Sequence, residues 1–273
     1  MTKFLSKDGK FYMRDGKLLG YTPPEASLTP KPGITYTSGI SGIDPAMLTM
    51  FSQAISNNAD ITSETNTVYV DYKSTHVKID VGNQVAIDLN GTNYAFDVIG
   101  FNHDELTYAN AYGSTTVTGK AGITFQMHDL FATTYVMNSS NTNVGGWKSS
   151  AMRTSTMATM KGYMPAAWKT AIKPVNKASG TGGGSSSGTE TVSDSCFLLA
   201  EIEIFGSTIG SVSGEGTQYA YYKAGNSKVT SDWWWLRSPI SGGSNSFRVV
   251  SSNGSAATSS ADSSIGVAFA FCI

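Results

Sequence analysis

The spacing of apolar residues changes along the chain, and each change predicts a different element. Met47, Leu48, Phe51, Ala54 and Ile55 recur at intervals that place side chains on one helical face. Asp44 stands where a cap accepts free backbone N–H groups. Pro45 suits the first helical position, where its missing N–H would have no partner. One amphipathic helix is predicted over 45–56. From Thr67 the period is two: Val68, Val70 and Tyr72 alternate, then Val77 and Ile79, then Val85, Ile87 and Leu89. Such alternation sends successive side chains to opposite faces of a strand. Asn90-Gly91 tolerates the positive φ of a tight hairpin turn, and Tyr94-Ala-Phe-Asp-Val-Ile-Gly-Phe101 is the return strand.

Beyond this run the pattern is mixed. The apolar segment from Gly122 to Met137 favours a helix across 126–135. Asn143-Val-Gly-Gly-Trp147 reads as a turn feeding a helix over 148–160, and Pro165 opens a third helix in Pro165-Ala-Ala-Trp-Lys-Thr-Ala-Ile. Cys196-Phe-Leu-Leu-Ala-Glu-Ile-Glu-Ile-Phe-Gly206 reads as a strand or short turn. On a strand, Glu201 and Glu203 would share one face. The last forty or so residues hold two bulky anchors of core character, 233–239 and 267–273. The stretch between them is dominated by small residues and is expected to form a surface.

Gly, Pro and Ser punctuate these elements. Lys7-Asp-Gly-Lys-Phe-Tyr and Arg14-Asp-Gly-Lys-Leu-Leu echo one another and predict two small β-turns joined by a strand. Pro23, Pro24, Pro30 and Pro32 mark an extended connector over 22–33. Ser179-Gly-Thr-Gly-Gly-Gly-Ser-Ser-Ser-Gly188 is a flexible loop. It has neither the Lys nor the strand–helix setting of a phosphate cradle. A second loop is expected over 210–216.

Composition narrows the function. The chain has 273 residues, with 40% hydrophobic and 14% charged, and a net charge of −1, so no basic surface points to nucleic acid. Cys196 and Cys272 each sit in an apolar run and read as buried thiols. No apolar leader follows Met1 and no run is long enough to span a bilayer, so synthesis in a cytoplasm without membrane insertion is expected. His76, His103 and His128 stand at no metal-ligand spacing, and Asn102-His103-Asp104 reads as a polar surface loop. Glu201 and Glu203 have no evident third catalytic partner, and no nucleophile-elbow pattern occurs. No catalytic residue, metal or cofactor is assigned, and binding rather than catalysis is expected.

Three separated motifs occur in order: Gly145-Gly-Trp-Lys-Ser-Ser-Ala-Met-Arg153; Phe197-Leu-Leu-Ala-Glu-Ile-Glu-Ile-Phe-Gly206; and Trp234-Trp-Leu-Arg-Ser-Pro239 with Gly266-Val-Ala-Phe-Ala-Phe-Cys-Ile273. Together they resemble a family of C-type-lectin-like domains of gut bacteria and their phages, some of which are variable proteins of diversity-generating retroelements. The likeness covers roughly residues 80–273. It departs at Ala268 and Phe269, where Arg and Pro are usual. The motifs of calcium-dependent sugar-binding lectins are absent, and the two Cys do not match the paired Cys of formylglycine-generating enzymes of related fold. In retroelement targets, Asn codons become codons unable to encode Lys, Glu, Gln, Met or Trp, and none of those residues occurs over 240–265.

The resemblance implies an α+β, C-type-lectin-like fold of antiparallel strands, a few helices and long irregular loops over 76–273. A small attachment and oligomerisation region over 1–75 precedes it. It implies a variable cassette over 233–273, with adjustable ligand-binding positions Ser241, Gly242, Gly243, Ser244, Asn245, Ser246, Arg248, Ser251, Ser252, Asn253, Ser255, Ala256, Ala257, Thr258, Ser259, Ser260, Ala261 and Asp262. Trp147, Arg153, Trp234, Trp235, Arg237, Pro239 and Phe271 would be scaffold. The function it implies is that of a phage virion receptor-binding protein, on a tail or surface fibre, displaying a diversified surface for host adsorption. Its partners would be a bacterial surface receptor (protein or glycan), other virion proteins through the N-terminal region, and copies of itself in a trimer. A virion decoration protein without a receptor and a bacterial ligand-binding protein are the alternatives.

Overall fold

Asp44 caps the helix Pro45–Ser56, its carboxylate accepting the Ala46 N–H at 2.8 Å, and Leu48, Phe51 and Ile55 are buried along one face. The period-two run folds as antiparallel pairs. Thr67–Tyr72 lies against Thr75–Asp80, and Gln84–Leu89 against Thr92–Phe101. Asn90 and Gly91, at φ 55° and 90°, make the tight turn between the second pair. The computed structural model describes residues 13–14, 17–18, 22–109, 116–184, 188–228 and 231–273.

The architecture is α+β with mostly antiparallel sheets. One four-stranded sheet runs Glu25–Ser27, Thr67–Tyr72, Thr75–Asp80, Thr37–Ser38, its last pair parallel. A five-stranded sheet runs Cys196–Phe197, Ala270–Cys272, Ile123–Met127, Thr92–Phe101, Gln84–Leu89. A second four-stranded sheet runs Thr116–Lys120, Glu105–Ala109, Val175–Gly180, Thr189–Asp194, and a three-stranded sheet runs Trp234–Pro239, Ser246–Val250, Ala256–Ser260. Met13–Arg14 pairs with Lys17–Leu18 as the second N-terminal repeat predicts, whereas the first repeat lies outside the described residues. One continuous core joins the N-terminal helix to the C-terminal strand, where Phe271 stacks on Phe125 at 5.3 Å. Among the described residues no helix is long and apolar enough to cross a membrane.

Several expectations are corrected. The helix expected over 126–135 is absent. Ile123–Met127 is a fully buried strand at the centre of the five-stranded sheet, and the chain then runs irregularly, bonded by backbone to residues 265–267. A strand buried on both faces loses alternation, so an apolar run alone did not separate strand from helix. The connector over 22–33 contributes the edge strand Glu25–Ser27. The helical stretch over 148–160 breaks at extended Ser150 and resumes through a π turn, Met152–Thr156, into Met157–Tyr163. Ala166–Ala171 forms behind Pro165 as expected. Ser179 and Gly180, placed in the Gly/Ser loop, close a strand paired with Thr189–Asp194. The expected division at 75/76 falls at the start of the strand Thr75–Asp80, within a hairpin of the N-terminal sheet.

Candidate ligand-display site

The three-stranded sheet is a frame with two exposed turns. Trp234, Trp235, Leu236, Arg237 and Ser238 are buried, and so is every residue of Ser246–Val250. Trp235 donates its indole N–H to the Tyr135 carbonyl at 2.8 Å, and Pro239 pairs with Phe247. Trp233 is a correction: it is 39% exposed, so the buried anchor begins at Trp234. Trp147 and Arg153 share one carboxylate, Asp194, at 2.7 Å each. Gly146 is needed where it stands, since a Cβ there would lie 1.9 Å from the Gly180 carbonyl oxygen.

The positions assigned as adjustable divide by burial. Ser241, Gly242, Ser244, Asn245, Ser252, Asn253, Ser255, Thr258 and Asp262 are exposed. Gly243, Ala256, Ala257, Ser259 and Ser260 are half-buried. Ser246, Arg248, Ser251 and Ala261 are buried, which corrects their placement on the surface. Arg248 belongs to the frame: its Nε donates to Glu201 Oε1 at 2.5 Å and it bonds Thr258.

The first turn, 241–245, is held largely from outside the cassette. Ser241 N–H donates to the Gly210 carbonyl, and Asn143 N–H to the Ser244 carbonyl, at 2.8 Å each. The Asn143 amide also donates to the carbonyls of Gly243 at 2.9 Å and Ser246 at 2.8 Å, while its oxygen accepts Gly183 N–H. Val144 and Ile209, the chain neighbours of Asn143 and Gly210, are 62% and 59% exposed. The second turn, 251–255, is held by its own residues. Ser251 hydroxyl donates to Asn253 Oδ1 at 2.6 Å, Asn253 Oδ1 accepts Ser255 N–H at 3.0 Å, and Ser251 N–H reaches the Ser255 carbonyl at 2.9 Å.

Beneath the frame lies a buried ionic network. Glu201 and Glu203 sit on the one-turn helix Glu201–Phe205, not a strand, so they point apart to different partners. Glu201 accepts the N–H groups of Ile209, Gly210 and Ser211 at 2.9 Å each and the Ser211 hydroxyl at 2.8 Å. Burial pushes its carboxyl up, but the Gly210 N–H, the Ser211 hydroxyl and Arg248 outweigh this and hold it below its usual range. Glu203 takes Arg237 in a two-pronged pair at 2.5 and 2.8 Å, plus Lys177 at 2.7 Å. Against burial, these two cations keep Glu203 below its usual range. Burial dominates for Glu215, whose carboxyl is raised although it accepts Gly180 N–H and Ser238 hydroxyl. His103 is also corrected: its side chain is 5% exposed and stacks on Tyr219 at 3.8 Å.

Sequence reasoning missed Asn143, Lys177, Asp194 and Glu215. Each lies in an ordinary polar stretch, and its side chain meets a partner 35 or more positions away. Only the Asn143-Val-Gly-Gly turn gave a signal, and it marked the turn, not the amide that clamps a distant one. Cys196 and Cys272 are buried free thiols, as expected, and burial pushes Cys196 up to about 12. Among the described residues no three His, Cys, Asp or Glu side chains are grouped to hold a metal ion.

The fold and site define a class: an α+β protein with a buried, ion-paired frame presenting small-residue turns. Residues 121–273, more than half of the chain, match the family described as Domain of unknown function (DUF6273), and the chain belongs to that family. No curated protein matches, and no solved structure does.

Proposed function

We propose that this chain is a phage virion receptor-binding protein, on a tail or surface fibre. Its C-terminal region, of C-type-lectin-like topology, presents a diversified surface to a bacterial receptor. The observation that carries this reading is the clamping of the 241–245 turn by Asn143 and Gly210, outside the cassette, above a fully buried strand. Ser241 and Ser244 take no side-chain part in the bonds that clamp this turn, and Asn245 accepts only the hydroxyl of its neighbour Ser246 at 3.1 Å, so the surface can change while its backbone stays placed. Small polar residues give adaptable hydrogen bonding. Val144 and Ile209, exposed next to the clamping residues in the chain, add apolar contact. Several copies on one particle would raise weak single-site binding through avidity.

The test has two arms. Flanking DNA is expected to hold a near-copy of the cassette sequence, differing at adenines, beside a reverse transcriptase gene. Purified protein is expected to bind host cells and to lose binding when Ser241, Ser244, Asn245, Ser252 and Asp262 are replaced together with the fold intact. Absence of the repeat removes the diversification reading. Unchanged binding by the replaced protein removes the display face as the receptor site.

A further inference from the structure

Lys177 is a buried cation in the network beneath the display frame. It lies in Val175–Gly180, and its Nζ is 2.7 Å from Asp104 Oδ1, 2.7 Å from Glu203 Oε1 and 3.1 Å from the Tyr219 hydroxyl. The Lys177, Asp104 and Glu203 side chains are each no more than 2% exposed. The Phe197 ring centre lies 4.3 Å from Nζ and the Tyr219 ring centre 5.5 Å. The Tyr219 hydroxyl donates toward both Asp104 oxygens at 2.9 Å, and the Thr124 hydroxyl donates to Oδ2 at 2.6 Å.

An amine pressed against a carboxyl in a dry, aromatic-walled site, with a second carboxyl touching the same amine, is placed for condensation. Orientation of this quality corresponds to effective concentrations on the order of 10⁵ M or more. We propose that Lys177 and Asp104 become joined by an intramolecular amide bond, with Glu203 carrying the proton. Glu203 takes one proton from the Lys177 ammonium and passes it to Asp104 Oδ1, and the freed nitrogen lone pair then attacks Cγ of the neutral carboxyl. Tyr219 and Thr124 hold the negative charge that develops on Oδ2. The C–N bond forms and the C–Oδ1 bond breaks. Oδ1 leaves as water with two of the three ammonium protons, one of them delivered through Glu203. One ammonium and one carboxylate become one amide and one water, so atoms and charge balance and no oxidant or reductant is needed.

The product also simplifies the electrostatics. Two buried charges disappear, and Glu203 is left paired with Arg237 alone, so the cost of keeping a second ion pair out of water is removed. The bond would tie the loop after Thr92–Phe101 to Val175–Gly180, across 73 positions of sequence. Against burial, Lys177 and His103 hold the Asp104 carboxyl well below its usual range. The neutral carboxyl that the reaction needs is therefore scarce, and the bond forms slowly after folding.

Intact mass spectrometry of the full chain, followed over time after purification and then denatured, tests this. The expected mass falls toward that of the sequence less one water, and digestion yields a branched peptide joining Asp104 to Lys177. Lys177→Arg, which keeps the charge without the amine, is expected to hold its full mass. Glu203→Gln is expected to slow linkage on the order of 100-fold, as loss of a proton carrier does. A wild-type mass that stays at the open-chain value, with Asp104 and Lys177 in separate linear peptides, overturns the proposal whether or not either variant folds. So does the same water loss in Lys177→Arg.

Discussion

The two exposed turns of the three-stranded sheet look alike in composition and differ in what holds them. The turn at 241–245 is fixed by Asn143 and by Gly210, whose loop is fixed in turn by Glu201 and Arg248. The turn at 251–255 is fixed by Ser251 and Asn253, which belong to it. A surface that must tolerate replacement needs the first arrangement, because only there does the backbone survive loss of the displayed side chains. The second tolerates replacement only at Ser252 and Ser255, whose side chains take no part in the hydrogen bonds that hold the turn.

The largest effect tests the support of the first turn. Arg248→Ala leaves Glu201 buried without its cation. It is expected to cost about 3–5 kcal/mol, as removal of one member of a buried ion pair does, measured by denaturant unfolding. A loss under about 1 kcal/mol would show that the N–H groups of 209–211 suffice for Glu201 and that Arg248 is dispensable.

Acid should act on the same support. Glu201 and Glu203 have folded-state carboxyl pKa values below the ordinary 4.5, so the folded state binds fewer protons than the unfolded one. Their contribution is full above 4.5 and is lost as pH falls through the folded values. Glu215 runs the other way: its raised value means its contribution is present below 4.5 and lost as pH rises through the folded value. Two depressed groups against one raised group predict falling stability under acid, with amide exchange at 209–211 and 241–245 rising before that at 251–255. Equal rises in both turns would break the distinction drawn between them.

Asn143→Ala removes two donated bonds and one accepted bond. An expected cost of about 2–3 kcal/mol should appear in amide exchange at 243–246 and leave 251–255 unchanged. Asn253→Ala should do the reverse, at about 1–2 kcal/mol, because its oxygen accepts only within its own turn. The smallest effect belongs to Ser241 and Ser244, replaced singly by larger polar residues. Each is expected to stay within about 0.5 kcal/mol, read from thermal unfolding. A loss above about 2 kcal/mol from either of them would show that the first turn also depends on its displayed side chains.

Local order was legible where one physical rule dominated. The cap of Asp44, the alternation through Val68 to Leu89 and the Asn90-Gly91 turn are decided by contacts within a few residues, and each stands as the spacing predicts. The Ile123–Met127 strand was misread because burial on both faces erases the alternation that marks a strand. The Glu201–Phe205 helix was misread because five residues carry too little periodicity to assign.

The candidate site divides along the same line. The sequence by itself set the bulky anchors and the small-residue stretch between them, since residue size is a local property. Only the tertiary structure decided which of those positions are displayed. Arg248 looks like a surface cation in sequence and is a frame residue because Glu201, 47 positions away, is buried beside it. Asn143 looks like a turn residue and is the clamp of a turn 100 positions on. Long-range pairing of buried polar groups is fixed by where strands and loops meet, and no window of sequence contains both partners.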